Sequence, residues 1–235
     1  MAFVSDRSPQ KPDLKVLLKP ITFDEFVDWY PDRSEFRYEL RRGVIIQLPK
    51  PKGKHSVLAG DLAADLNLEI RQRSLPYTIP KECVIKVSDD TGYEPDVIVL
   101  DRKTLAKEPR WESASTIERG TSVKLVIEVV STNWQDDYDL KMAEYESLGI
   151  SEYWIVDYAG FGGIRHLGKP KQPTLTICLL VDGEYETRMF RGEETIVSAT
   201  FPGWLLTANQ VLGLSVADRL TITSKQTENS RWSHS

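Results

Sequence analysis

The sequence predicts an α/β (α+β) fold, and three observations carry that prediction. Residues 123–130, Val-Lys-Leu-Val-Ile-Glu-Val-Val, are β-branched and almost wholly apolar, the pattern of a strand buried on both faces, and a helical pattern follows over 134–148. Leu58, Leu62, Leu66 and Ile70 recur every four residues, which is one buried stripe of a long helix. Asp182-Gly183 separates the runs 174–181 and 184–190, and Asp-Gly in that setting is a strong hairpin signal.

Taken in order, residues 1–20 mix Ser, Pro, Lys and Asp without a period and are expected to be a mobile leader. Thr22-Phe23-Asp24-Glu25 is a capping box that opens a helix through about Tyr30, which Pro31 stops. Residues 37–48 alternate and read as a hairpin turning at Arg41-Arg42-Gly43, with Glu39 on its first strand. Pro49-Lys50-Pro51-Lys52-Gly53-Lys54 is a stiff basic loop. Lys52 and Lys54 are candidate phosphate contacts there, and a solvated connection is the competing reading. His55 opens the long helix to about Arg73. A strand is expected over 77–87, with Cys83 and an outward Glu82, then a turn at 88–92 and a strand after Pro95-Asp96. Residues 101–120 are expected to form a short helix and a loop lying over the substrate. Gly149 ends the helix of 134–148, and 152–157 is a further strand. Residues 158–163 lack the lysine and the strand-to-helix setting of a P-loop. Residues 201–206 close a single domain spanning 21–213, and 214–235 is expected to be a disordered polar tail.

Two acids break this pattern. Glu128 stands inside the central apolar run, where an isolated charge is costly and must be paired, protonated or bound to a cation. Asp96 stands at the margin of the apolar run Val97-Ile98-Val99-Leu100. Asp137 and Lys141 are four residues apart, acid first, so both lie on one helical face, early enough in the helix for Lys141 to reach the end of the acid-bearing strand. Two carboxylates and a lysine are a set that holds a hard divalent cation through oxygen and steadies an attacking water, which is phosphodiester hydrolysis chemistry.

The ordered set Tyr38-Glu39-Leu40, His55, Glu94-Pro95-Asp96, Val126-Ile127-Glu128-Val129-Val130-Ser131, Asp137-Tyr138-Asp139-Leu140-Lys141 and Glu152-Tyr153-Trp154-Ile155-Val156-Asp157 resembles the bacterial Uma-type putative restriction endonuclease family, a branch of the PD-(D/E)XK nucleases. The resemblance spans about residues 22–206. It implies a restriction-endonuclease-like central mixed β-sheet flanked by helices, with a C-terminal antiparallel hairpin extension. It also implies a metal-dependent endonuclease that hydrolyses DNA. In the parent motif the lysine stands two residues after the second acid, where this chain has Val130; a lysine moved to the following helix matches Lys141. Asp96, Glu128 and Lys141 therefore carry over as catalytic residues, with Asp96 and Glu128 as ligands for Mg²⁺ or Mn²⁺. Glu39 matches the family's early acidic residue. Glu39 or a carbonyl after Glu128 is a further candidate ligand. His55 and Asp137 are supporting candidates: Asp137 either directs Lys141 or forms a surface ion pair with it.

Composition bounds these readings. The chain has 235 residues, 40% hydrophobic and 28% charged, an ordinary globular balance. A net charge of −5 and a pI near 5.4 argue against binding nucleic acid by bulk charge, so a nuclease would need a local basic surface. Cys83 and Cys178 are too few for a disulfide framework, the three histidines show no zinc spacing, and no signal peptide or membrane span is present, so a cytoplasmic setting is expected. DNA is the expected partner, and a homodimer is expected because a duplex cut needs one site per strand. Two alternatives stay open: a noncatalytic nucleic-acid-binding or interaction module, and a structural protein whose buried acids are salt-bridged.

Overall fold

The structure, a computed structural model, describes residues 19–31 and 34–213. All but the last two residues of the expected leader 1–20, and all of the expected tail 214–235, lie outside the described residues.

α1 (Phe23–Trp29) begins with the expected capping box: the Thr22 hydroxyl accepts from the Glu25 N–H, and the Glu25 carboxylate accepts from the Thr22 N–H at 2.8 Å. Thr22→Ala is expected to cost about 1 kcal/mol of stability in urea denaturation, the usual worth of such a cap. β1 (Tyr38–Arg41) and β2 (Val44–Gln47) form the expected hairpin, and Arg42 and Gly43 carry φ of 49° and 76°, a turn whose twist matches the strands. Glycine is needed at 43 for a second reason: a Cβ there would lie 2.5 Å from the Pro20 Cβ. α2 (Gly53–Gln72) buries Leu58, Leu62, Leu66 and Ile70 as the stripe predicts.

The strand expected over 77–87 is two strands. β3 (Tyr77–Thr78) and β4 (Val84–Ser88) belong to different sheets, because Pro80 between them has no N–H for a ladder, and Cys83 falls just before β4. The expected turn at 88–92 is shorter, since β5 (Thr91–Tyr93) already pairs with β4. β6 (Val97–Asp101) follows directly after Asp96. Residues 101–120 contain α3 (Arg102–Leu105), α4 (Trp111–Ala114) and β7 (Thr116–Ile117). They do not lie over the site. Arg110 pairs with Asp24 of α1 at 2.8 Å, and the Glu108 carboxylate accepts from Ser122 and from the Glu118 N–H, which ties this segment away from the cavity described below.

β8 (Val123–Val129) is the expected core strand. The helix after it is not a regular α-helix: Asp136–Lys141 is a π-helical stretch, and α5 (Met142–Ser147) continues from it. β9 (Glu152–Asp157), α6 (Ile164–Leu167), the hairpin of β10 (Thr174–Val181) and β11 (Glu184–Phe190), and α7 (Ala208–Val211) complete the chain.

The strands form two mixed sheets flanked by helices rather than one. The six-stranded sheet has the order β11-β10-β9-β8-β6-β3, and the five-stranded sheet β2-β1-β5-β4-β7. β8 runs parallel to β9, and β4 to β7; the other pairs are antiparallel. Both faces of β8 are covered, which explains its continuous apolar run. Leu125, Ile127 and Val129 pack in a core with α2, whereas Val126 and Val130 pack in a second core with Tyr138, Tyr145 and Tyr153. Strand alternation places Glu128 on that second side, facing the segment that carries Lys141 and Tyr145.

Candidate active site

Glu128 is 3% exposed and is the one charged side chain turned inward from β8. Its Oε1 accepts from Lys141 Nζ at 2.9 Å and from the Tyr145 hydroxyl at 3.0 Å. Burial pushes its carboxyl up to about 7; the Lys141 ammonium pulls the other way, and Asp96 and Glu39 add to the rise. Lys141 is itself buried. Burial alone would discharge it, but Glu128, Glu39 at 3.3 Å and Asp137 at 3.9 Å hold it firmly protonated. Its Nζ also lies 5.3 Å from the Tyr93 ring centroid.

Asp96 ends the approach to β6, and the register Val97↔Ile127 sets it across from Glu128. Its Oδ2 accepts from the Val129 N–H at 2.9 Å and lies 3.2 Å from His55 Nε2. Burial works against its charge, and the hydrogen bond and charge of His55, with the Val129 N–H, outweigh it, so this carboxyl lies below the usual range. His55 is raised in return: burial lowers it, and Asp96 more than offsets that. His55 Nδ1 is buried without a partner among the described residues.

Around this pair stands a layer of cations from β1 and the segment before it. Arg37 donates from Nε to Glu94 Oε1 at 2.7 Å and from Nη2 to the Glu94 carbonyl at 2.8 Å, with Nη1 3.7 Å from Asp96. Arg41 donates twice to Glu39 Oε2, at 3.0 and 2.7 Å, and once to Asp136 at 2.6 Å. Glu39 is thereby tied to Arg41 through Oε2, while its Oε1 pairs with Lys141 at 3.3 Å and accepts from the Glu94 N–H at 3.4 Å. Asp137 is no surface ion pair. It is 6% exposed, and burial drives its carboxyl well upward.

These groups share one cavity of about 350 Å³, lined by Glu39, Asp96, Glu128, Asp137 and Lys141, with His55 and Lys52 at its wall. Seven of the eight site residues anticipated from the sequence therefore meet in one place. Lys54 does not line it; its Nζ stands 5.3 Å from the ring of Tyr158, which does. Arg37, Arg41, Lys50 and Glu94 line the cavity and were not anticipated as site residues. The signal for the arginines was present: Arg37, Glu39 and Arg41 alternate, so a strand through them turns all three to one face. Tyr145, within the helical pattern of 134–148, carries no sequence signal that marks it as a partner of Glu128.

The sequence matches the family described as Uma2, putative restriction endonuclease, over residues 23–209. The chain belongs to the Uma2 family. Among solved structures, a putative nuclease belonging to DUF820 from Anabaena variabilis ATCC 29413 is similar, with a TM-score of 0.61 and 20% identity over 83% of this chain and 98% of that one. That likeness supports the restriction-endonuclease-like fold. Among curated proteins no sequence matches this one. No helix among the described residues is long and apolar enough to cross a membrane.

A divalent cation is what nucleases of this fold generally use, and the donor set suits one. Among the described residues no three His, Cys, Asp or Glu side chains form a ready-made cage. Magnesium does not ask for one, since it keeps several waters and is bound through one or two carboxylates together with substrate phosphates. Asp96 and Glu128 are such a pair of hard oxygen donors, opposite one another and open to a cavity. The residues present fit the ion.

Proposed function

We propose that this chain is a metal-dependent endonuclease that hydrolyses DNA phosphodiester bonds at the cavity between Asp96, Glu128 and Lys141. The observation that carries the reading is the convergence of two carboxylates and a buried lysine, from three separate chain segments, on one cavity with cationic side chains at its wall. Asp96 and Glu128 would hold Mg²⁺ or Mn²⁺, with Glu39 or the carbonyl after Glu128 as a further ligand. Such a cation, when bound, supplies polarisation of a phosphoryl oxygen and a water of lowered pKa.

The remaining roles belong to the chain itself. Lys141 donates to Glu128 and is paired with Glu39 at 3.3 Å, and its ammonium is the donor for the attacking water or for charge that develops on the phosphoryl oxygens. Glu128, and after it Glu39 and Asp137, keep the lysine charged. His55, the Val129 N–H and the charge of Lys141 hold the Asp96 carboxylate in its ionised form, ready for a cation. Lys50 and Lys52 sit where a phosphate backbone would pass and offset the repulsion expected from an acidic protein. A homodimer would supply one such site per strand, and the enzyme would work as one domain over 21–213.

Purified protein incubated with plasmid and short duplexes is expected to cut them in Mg²⁺ or Mn²⁺ and to stop in chelator. Absence of cleavage in every metal, with DNA still bound, would favour the noncatalytic binding module instead.

A further inference from the structure

We propose that Tyr145 is a positioning residue: its hydroxyl and the Lys141 ammonium together hold Oε1 of Glu128, so that Oε2 alone is presented to the cavity as a cation ligand. The inference rests on the reading of Asp96 and Glu128 as a divalent-cation pair.

The terminal torsion of a glutamate is broad and nearly two-fold, so an unrestrained carboxylate exchanges its oxygens freely. At Glu128 that freedom is removed. Oε1 takes two donors, Lys141 Nζ at 2.9 Å and the Tyr145 hydroxyl at 3.0 Å. Among the described residues Oε2 takes none, and the residue lines the cavity. Tyr145 stands four residues after Lys141, on the same side of the helix, so both donors come to the carboxylate from one direction.

The phenol is equally restrained. Tyr145 is fully buried and held edge-on between two other rings, Tyr93 at 6.0 Å and Tyr153 at 5.1 Å between centroids. Its surroundings keep it protonated far above neutral pH, mainly through burial, so it acts as a donor. A buried phenol in an aromatic stack needs a partner for its hydroxyl, and here the partner is the carboxylate, where a backbone carbonyl would satisfy packing equally well. Tyr185 takes that other course: its hydroxyl donates to the Ile150 carbonyl at 2.9 Å in the same core.

Mn²⁺ titration by calorimetry, without DNA, separates the two kinds of tyrosine. Tyr145→Phe keeps the ring and loses the donor, and its Mn²⁺ affinity is expected to fall about tenfold, in the range found when partners of metal ligands are removed. In cleavage assays kcat is expected to fall with KM for DNA unchanged. Tyr185→Phe, a loss of the same chemical group elsewhere in the core, is expected to leave Mn²⁺ affinity and cleavage as in wild type. Incorporation of 3-fluorotyrosine at position 145, which keeps ring and donor, is expected to retain wild-type affinity, and this arm decides the matter if Tyr145→Phe does not fold. Equal Mn²⁺ affinity in Tyr145→Phe and wild type, or a tenfold loss with 3-fluorotyrosine, overturns the role of Tyr145 and leaves the cation pair standing. A wild-type protein that takes up no Mn²⁺ overturns both.

Discussion

Lys141→Met is expected to abolish cleavage and to destabilise the fold by about 3–5 kcal/mol, the usual cost of leaving a buried charge without its partner. Lys141 is the cation nearest the buried Glu128 and Asp137, and it shares Glu39 with Arg41. Methionine fills nearly the same space, so the loss reports charge rather than packing. The pH dependence follows in sign. Burial already raises Glu128 to about 7, above the 4.5 it has when exposed, so the folded state holds its proton more tightly than the unfolded state does. Stability from such a group is present below about pH 4.5 and is lost as pH rises toward 7. Without Lys141 the carboxyl rises further, and the window of loss extends above neutrality. Urea denaturation of wild type and variant at pH 5 and pH 8 is expected to show the larger difference at pH 8. A difference that is equal at both values would mean that Lys141 and Glu128 are not electrostatically linked.

Asp96→Asn is expected to leave the fold intact and to reduce cleavage by about 10³- to 10⁴-fold, equivalent to about 4–5.5 kcal/mol of transition-state stabilisation. An asparagine oxygen can still accept from the Val129 N–H, so the join between β6 and β8 is kept. The anionic oxygen required by a hard cation is lost. In wild type, Mn²⁺ at one hundred times its dissociation constant is expected to add about 2.7 kcal/mol of stability. In Asp96→Asn the same concentration is expected to add little, and thermal melts with and without Mn²⁺ measure this independently of DNA. Cleavage at the wild-type rate in this variant would remove Asp96 from the site.

What could be read from the sequence divides along physical lines. Glu128 stood out because a carboxylate in an apolar, β-branched run is costly, and the structure places it inside the sheet with two donors on one oxygen. The α2 stripe, the capping box at Thr22 and the hairpins at Arg42-Gly43 and Asp182-Gly183 were legible because each rests on local chemistry. Lys141 was legible from its place early in the helix that follows the acid-bearing strand, and the family resemblance added weight, since a lysine at a regular helical spacing otherwise looks like any surface lysine. The π-helical stretch that carries it buried, with Asp137, has no local signature in Asp-Asp-Tyr-Asp-Leu-Lys, so a regular helix was expected and the choice between a directing Asp137 and a surface ion pair stayed open. The second sheet was hidden because β5 and β7 have three and two residues, too short for alternation to register. Pro80 did mark the break between β3 and β4, and its missing N–H was the available clue.

Crystals of the protein soaked in Mn²⁺ and measured for anomalous scattering test the central claim most directly. One strong peak is expected in the cavity, coordinated by Asp96 and by Oε2 of Glu128, with Lys141 and Tyr145 still on Oε1. A fully soaked crystal with no peak there, or with manganese bound elsewhere and the Asp96 and Glu128 carboxylates untouched, would contradict it.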